Sequence, residues 1–284
     1  MAIFSNQATL SYNGISTNSN IAYGEILDVL TATKTSVENN YSQGESITYV
    51  VALRNTGSSA LNGLTLTDNL GAYDFGGQLL YPLTYSDGSV LYYIDGILQP
   101  SPNVTAGPPL TISAINIPAN SDAIIVYQAV ANNFANPQAD ATITNTVTIS
   151  GDGLNTPIVA TDTVEALVAP ELTISKSITP SQVVDNDRVT YTFIIQNSGN
   201  EAIVATDNAV VNDTFNPILT DLTVTYNGES WTEGVNYNYN EATGLFTTLP
   251  GNITVPAATY TQDQTTGEFI LTPGIATLIV EGTI

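Results

Sequence analysis

Residues 4–14 read F-S-N-Q-A-T-L-S-Y-N-G, and a near copy, I-T-N-T-V-T-I-S-G-D-G, recurs at 143–153. In both, one face is apolar at every second residue: Phe4, Ala8, Leu10 and Tyr12 in the first, Ile143, Val147 and Ile149 in the second. That period belongs to a half-buried strand whose other face is Ser, Thr and Gln. Each run enters a Gly-containing turn and then a second extended run, 20–27 and 157–168, so each predicts a β-hairpin. The second copy closes a domain, whereas the first has nothing in front of it. At the far end, 276–284 (A-T-L-I-V-E-G-T-I) resembles 122–130 (D-A-I-I-V-Y-Q-A-V), the run preceding the hairpin copy in the first domain. The last domain is therefore expected to lack a hairpin that the N-terminus has to spare.

The rest of the chain repeats as well. Leu30 and Leu172, Lys34 and Lys176, Tyr49 and Tyr191, Asn55 and Asn197, and Gly57 and Gly199 pair without a gap at a constant spacing of 142, which marks an internal repeat. Thr, Val, Ile, Tyr and Asn abound and helical periodicity is absent, so the 284 residues predict an all-β chain of two tandem domains. The expected boundaries are 1–28 for the spare hairpin, 29–168 for the first domain and 169–284 for the incomplete second, with L-V-A-P-E at 167–171 as a short linker between domains strung end to end. Each domain opens with a strand, at 30–36 and 172–178, and continues with one whose inward residues are Ile47, Tyr49, Val51 and Leu53, or Val189, Tyr191, Phe193 and Ile195. The N-x-G triplets at Asn55 and Asn197 predict tight reversals. Asp87-Gly88 and Asn227-Gly228 predict two-residue hairpin turns, the first linking 83–86 with 89–94.

Four basic against 26 acidic residues give a net charge of −22, which repels nucleic acid and anionic lipid. With neither Cys nor His, the chain has no thiol chemistry, disulfide, Cys/His zinc site or Ser-His dyad. No apolar run is long enough to span a membrane, and no positively charged apolar leader follows Met1, so a leader either has been removed or was never used.

Strands at this spacing, with turns every eight to twelve residues or so, describe an immunoglobulin-like sandwich. The pattern Lys, then T-Y-x(5)-N-x-G, then L-T-D-N-L at 66–70 or V-N-D-T-F at 211–215, closing on T-N-T-V-T-I-S at 144–150, resembles the Ig-like repeats of Gram-positive surface proteins known as domain of unknown function eleven. The resemblance covers one repeat in full and a second split between the two chain ends. The hairpin regions 71–109 and 216–265 are longer than that family's core.

Strand parity places polar residues on the inner faces. Lys34 and Lys176, the only lysines, share faces with Leu30 and Ala32 and with Leu172, Ile174 and Ile178. Asp68 falls between Leu66 and Leu70, Asp213 between Val211 and Phe215, Asn145 between Ile143 and Val147, and Asn6 between Phe4 and Ala8. Unpaired, such groups are costly to bury. One reading is a structural ion pair with an Asn bonded to it. The other is an autocatalytic isopeptide bond: burial disfavours charge on both groups, so a neutral Lys amine attacks the Asn side-chain carbonyl while a protonated Asp polarises it and shuttles protons. The order Lys, acid, Asn is similar to that of collagen-adhesin-type domains of Gram-positive pili, which form such bonds. In the first domain the set is Lys34, Asp68 and Asn145; in the second it is Lys176 and Asp213, with Asn6 of a neighbouring subunit as the missing Asn.

Weaker signals favour structure. The D-G pairs at Asp87 and Asp95 suit turns better than calcium, because no D-x-D-x-D-G loop occurs. The 15 Tyr residues suit strand packing, and Trp231 suits local packing rather than sugar binding.

The reading that follows is a structural fibre subunit, not an enzyme beyond its own crosslinking, with no cofactor or metal. Its partner is itself, in a head-to-tail homopolymer built by donor-strand complementation, on a cell or spore surface, with no nucleic acid and no membrane span. The alternative is a fragment of a multi-repeat surface adhesin or stalk. The residues before Leu27 are expected to lack structure in a lone subunit.

Overall fold

Alternating apolar residues favour pleated strands with one face on a core, and the computed structural model, which describes residues 2–26, 28–184 and 186–284, is built almost wholly of such strands. Leu27, the end of the expected return run, lies outside the described residues. Contacts divide the chain into two units: residues up to Ala135 with 142–165, and 136–141 with 166–284.

The N-terminal arm is a hairpin of its own. Ala2–Asn6 pairs with Ala22–Ile26 and Thr9–Tyr12 with Ile15–Asn18. Asn13 and Gly14 both have positive φ, 44° and 79°, as a two-residue turn matched to strand twist requires. The return strand thus begins at Ile15 rather than at residue 20, and backbone pairing gives the arm the structure that its unburied side chains alone do not. The expectation of an unstructured arm is corrected accordingly. Its apolar face stays in solvent: Phe4 is 55% and Leu10 63% exposed.

The first unit is a two-sheet sandwich of immunoglobulin-like type. One sheet runs in the order Ile97–Leu98, Leu91–Ile94, Asp122–Ala131, Ser46–Asn55, Leu30–Ser36. The other runs Asn103–Thr105, Leu110–Ile117, Leu61–Asp68, Thr142–Ser150, Ile158–Ala166, Asn40–Tyr41. Ile47, Tyr49, Val51 and Leu53 are all buried, as parity requires, and face a core that includes Leu64, Leu66, Ile143, Val147 and Ile149. Asp87-Gly88 does not turn a hairpin. Leu83–Tyr85 and Leu91–Ile94 both pair with Asp122–Ala131, against residues 129–131 and 123–126, so they are two pieces of one edge strand with an excursion between them. The hairpin turn is Asp95-Gly96, with φ of 48° and 79°.

The second unit repeats half of this plan. Its main sheet runs Leu172–Thr179, Arg188–Asn197, Gly274–Thr283, Thr220–Tyr226, Glu229–Trp231. The Asn227-Gly228 turn joins Thr220–Tyr226 to Glu229–Trp231, and Trp231 stacks on Tyr226 at 4.8 Å. Among the described residues the facing sheet has three strands, Asn212–Thr214, Leu245–Thr248 and Tyr237–Asn240. In the first unit, Leu61–Asp68 pairs with Leu110–Ile117 on one side and with Thr142–Ser150 on the other. Its counterpart Asn212–Thr214 pairs only with Leu245–Thr248 among the described residues, so its other edge is open. The register also fixes the repeat at the far end. Tyr49 faces Tyr127 across the central strands and Tyr191 faces Val280, so Val280 occupies the place of Tyr127, one residue away from the pairing that the sequence similarity suggests.

Asn55 and Asn197 do more than reverse the chain. Each is fully buried and accepts the N–H of the Gly two residues on, at 2.9 Å, while its amide donates to backbone carbonyls of two segments: Ser59 and Pro118 for Asn55, Glu201 and Pro256 for Asn197.

Candidate functional site

The opening strand, the strand 61–68 and the closing strand 142–150 each direct one polar side chain inward, and these meet. Lys34 Nζ lies 2.5 Å from Asp68 Oδ2, and both side chains are sealed, at 0% and 2% exposure. The ammonium sits over the rings of Tyr49 and Tyr127, 4.7 and 5.8 Å from their centroids, with the rings themselves stacked at 5.5 Å. Burial is the main influence on Lys34, and it outweighs attraction to Asp68, pulling the amine down to about 8. Loss of the proton is therefore easier than for an exposed lysine, and the neutral amine is the form a nucleophile needs.

Asn145 is fully buried beside this pair. Its Oδ1 accepts the N–H of Gly71 at 3.2 Å, and its Nδ2 approaches the Tyr127 hydroxyl at 3.5 Å. Tyr127 in turn donates to Asp68 Oδ2, while Asp68 Oδ1 accepts the N–H of Leu70 at 2.9 Å. Leu70 and Gly71 are consecutive left-handed residues, with φ of 52° and 72°. That conformation is unusual for leucine, and it turns two successive N–H groups onto the acid and the amide. The arrangement can therefore deliver a neutral amine, hold an acid against it and polarise the amide carbonyl through Gly71.

Tyr127 and Gly71 were missed by sequence reasoning. A Tyr on the inner face of an alternating strand is indistinguishable from packing, and a Gly after an aspartate-containing strand signals only a turn. Asp162, opposite Asn145 in the neighbouring strand, has a buried Oδ2 without a hydrogen-bond partner, as does the hydroxyl of Tyr49.

The second unit holds half of this constellation. Lys176 and Asp213 form an ion pair, with Tyr191, Phe193 and Phe215 around the ammonium at 4.5 to 5.4 Å. The pair is open to solvent, at 38% and 19% exposure. Lys176 lies on the inner face, as parity places it, but among the described residues no strand covers it, and Leu172, Ile174 and Ile178 beside it are exposed too. Asn6 stands exposed on the arm, two residues from Phe4 in the same strand.

No family model matches the chain, so the membership suggested by its repeats is not shown, and no curated protein matches it. Solved structures do. The major pilin of Streptococcus agalactiae, as a C-terminal fragment, is 12% identical over 87% of this chain and 91% of that one, at a TM-score of 0.36. The pilus backbone of Streptococcus pneumoniae is 12% identical over 86% of this chain and 55% of that one, at 0.35. A family 123 glycoside hydrolase of Clostridium perfringens is 16% identical over 49% of this chain and 27% of that one, at 0.32. The chain thus spans about a quarter of the hydrolase and just over half of the pneumococcal protein. Collagen-binding domains from Enterococcus faecalis and Staphylococcus aureus match at similar scores. At these identities and scores the likenesses are loose ones of fold.

Proposed function

We propose that this chain is the subunit of a surface filament, on a cell or a spore, that polymerises head to tail by lending its N-terminal arm to the open edge of a neighbour's second unit. The observation that carries this is a matched pair of unfilled halves: an arm whose apolar face is in solvent, and a half-sandwich whose acceptor edge and opening strand are in solvent where the first unit has its closing hairpin. In the first unit Val147 pairs with Asp68 and Ile149 with Leu66. Carried over to the second, the same register sets Ala8 against Asp213 and Leu10 against Val211. Asn6 then takes the place of Asn145, beside Lys176.

Donor and acceptor sit on different surfaces, so the contact is heterologous and generates an open filament. Two bonds lock it: Lys34 to Asn145 within the first unit, Lys176 to Asn6 between subunits, with Asp68 and Asp213 as the acids. In each, Nζ of Lys bonds to Cγ of Asn, the Cγ–Nδ2 bond breaks, and ammonia leaves.

Electron microscopy of the purified protein should show filaments, and after boiling in detergent these should stay high in a denaturing gel. Lys176→Ala or Asn6→Ala filaments should fall to monomer under that treatment. Wild-type filaments that dissolve fully to monomer would refute the intersubunit bond, and a protein that stays monomeric with or without residues 1–14 would refute the donor strand.

A further inference from the structure

Within the first unit one hydroxyl stands where no acid or base was expected, in line between the acid and the leaving group. From Lys34 Nζ the chain of contacts runs to Asp68 Oδ2, from there to the Tyr127 hydroxyl, and from there to Asn145 Nδ2. Gly71 holds the other end of the same amide by its oxygen. We propose that Tyr127 is a catalytic residue of the first unit's crosslink, the group that hands a proton to the departing ammonia. The proposal rests on the reading of that site as a Lys34–Asn145 crosslink.

The direction of the hydrogen bonds supports it. In the resting amide, Nδ2 has no available lone pair and donates to Tyr127, which donates to Asp68. Attack by the amine makes the Asn145 carbon tetrahedral, and Nδ2 then carries a basic lone pair. By this point Asp68 holds the proton released by Lys34, so the same chain runs the other way: Asp68 donates to Tyr127, and Tyr127 donates to Nδ2. Nδ2 leaves as ammonia when the Cγ–Nδ2 bond breaks, and Asp68 takes the second proton from the new Nζ–Cγ amide. Five protons are accounted for on each side: three on the ammonium and two on the carboxamide before, and one on the amide, three on ammonia and one on Asp68 after. No phenolate need form, which matters because burial, with Asp68 adjacent, holds the Tyr127 hydroxyl well above its ordinary range.

The second unit lacks this group. Val280 occupies the place of Tyr127 and is fully buried, and the N–H that reaches Asp213 is that of Thr214. The relay is thus private to the first unit, and an intersubunit bond has to use Asp213 directly.

The test is a time course of intact mass. Uncrosslinked full-length chain, recovered unfolded in denaturant, is diluted to fold, and the loss of one ammonia is followed. Tyr127→Phe removes the hydroxyl and keeps the stacked ring. Tyr85→Phe is its control, a buried tyrosine hydroxyl that has no partner and that the site does not use. Crosslinking in Tyr127→Phe should slow by about 100-fold, the low end for general acid catalysis, with Tyr85→Phe near the wild-type rate. If Tyr127→Phe does not fold, Tyr127→Val, the residue of the second unit, serves instead. Equal rates in Tyr127→Phe and wild type, or equal slowing in both Tyr variants, would overturn the relay and leave the crosslink standing. A wild-type protein that never loses ammonia would overturn the crosslink, and the relay with it.

Discussion

Leu10 is the arm residue on which the donor-strand reading stakes most. It is 63% exposed, and its counterpart Ile149 is 0% exposed in the first unit's closing strand. Full burial of a Leu side chain contributes about 1.5 to 3 kcal/mol, so moving Leu10 into the acceptor groove recovers roughly two thirds of that, about 1 to 2 kcal/mol. Truncation also leaves a void in the joint, which brings Leu10→Ala to about 2 to 3 kcal/mol, near the lower end for such changes. That corresponds to an increase of about 30- to 150-fold in the critical concentration for assembly. The measurement is sedimentation of filaments across a concentration series, in a Lys176→Ala background so that exchange stays reversible. Ser11→Ala, one residue along and on the opposite face, should leave the critical concentration within a few-fold of its parent. Parity is what the pair tests. If Leu10→Ala and Ser11→Ala assemble alike, the arm is not a strand with Leu10 inward, and the register that brings Asn6 to Lys176 falls with it.

Gly71→Ala should lower the melting temperature and slow crosslinking together, because an added Cβ would meet Ile143 Cγ2 at 2.6 Å on a backbone with φ of 72°; an unchanged melt would refute the packing argument. Asn55→Ala should destabilise the first unit by about 1 to 3 kcal/mol in chemical denaturation, since it leaves the Gly57 N–H and the Ser59 and Pro118 carbonyls without their partner. In Asn145→Ala, where the amine stays free, Lys34 is depressed to about 8 in the fold while the unfolded chain binds its proton up to about 10.4. The unfolded state therefore holds more protons in that window, and stability should climb from pH 8 towards 10. Above about 10 it should fall, because unfolded tyrosines ionise while burial holds Tyr41 at about 12 and Tyr49 and Tyr127 higher still. A second change, Lys34→Met, should flatten the climb, and a climb that survives it belongs to some other group.

How much of the fold can be read without coordinates follows from how local each signal is. The inward face of 46–55 was legible because period 2 leaves no freedom once one face is buried: a slip by one residue would put Thr48 and Val50 where Tyr49 and Val51 belong. Asp87-Gly88 misled because turn chemistry is local and pairing is not. The dipeptide does break the strand, but both pieces find their partner in 122–131 rather than in each other. The pairing of 276–284 with 122–130 slipped by one residue for a related reason, since similarity between two apolar alternating runs tolerates a shift that hydrogen-bond register does not. The burial of Asn55 and Asn197 was not legible, because a surface N-x-G turn and a buried one have the same letters.

The candidate site divides in the same way. Lys34, Asp68 and Asn145 could be picked out because each is a polar residue at an apolar parity position, an anomaly visible one strand at a time. Tyr127 shows no anomaly, and only the meeting of four strands reveals that its hydroxyl spans acid and amide. Lys176 fails in the opposite sense. Its parity is as good as that of Lys34, and its acid is in place, yet it is 38% exposed against 0% for Lys34, because burial of an opening-strand residue is conferred by the closing hairpin and not by its own strand. The two lysines thus form an internal comparison: matching opening strands, an aspartate on each and aromatic rings around each ammonium, with and without the covering pair of strands. Covering Lys176 would strip water from its ammonium as the first unit does for Lys34, and the Leu10 series measures whether the arm of another subunit supplies that cover.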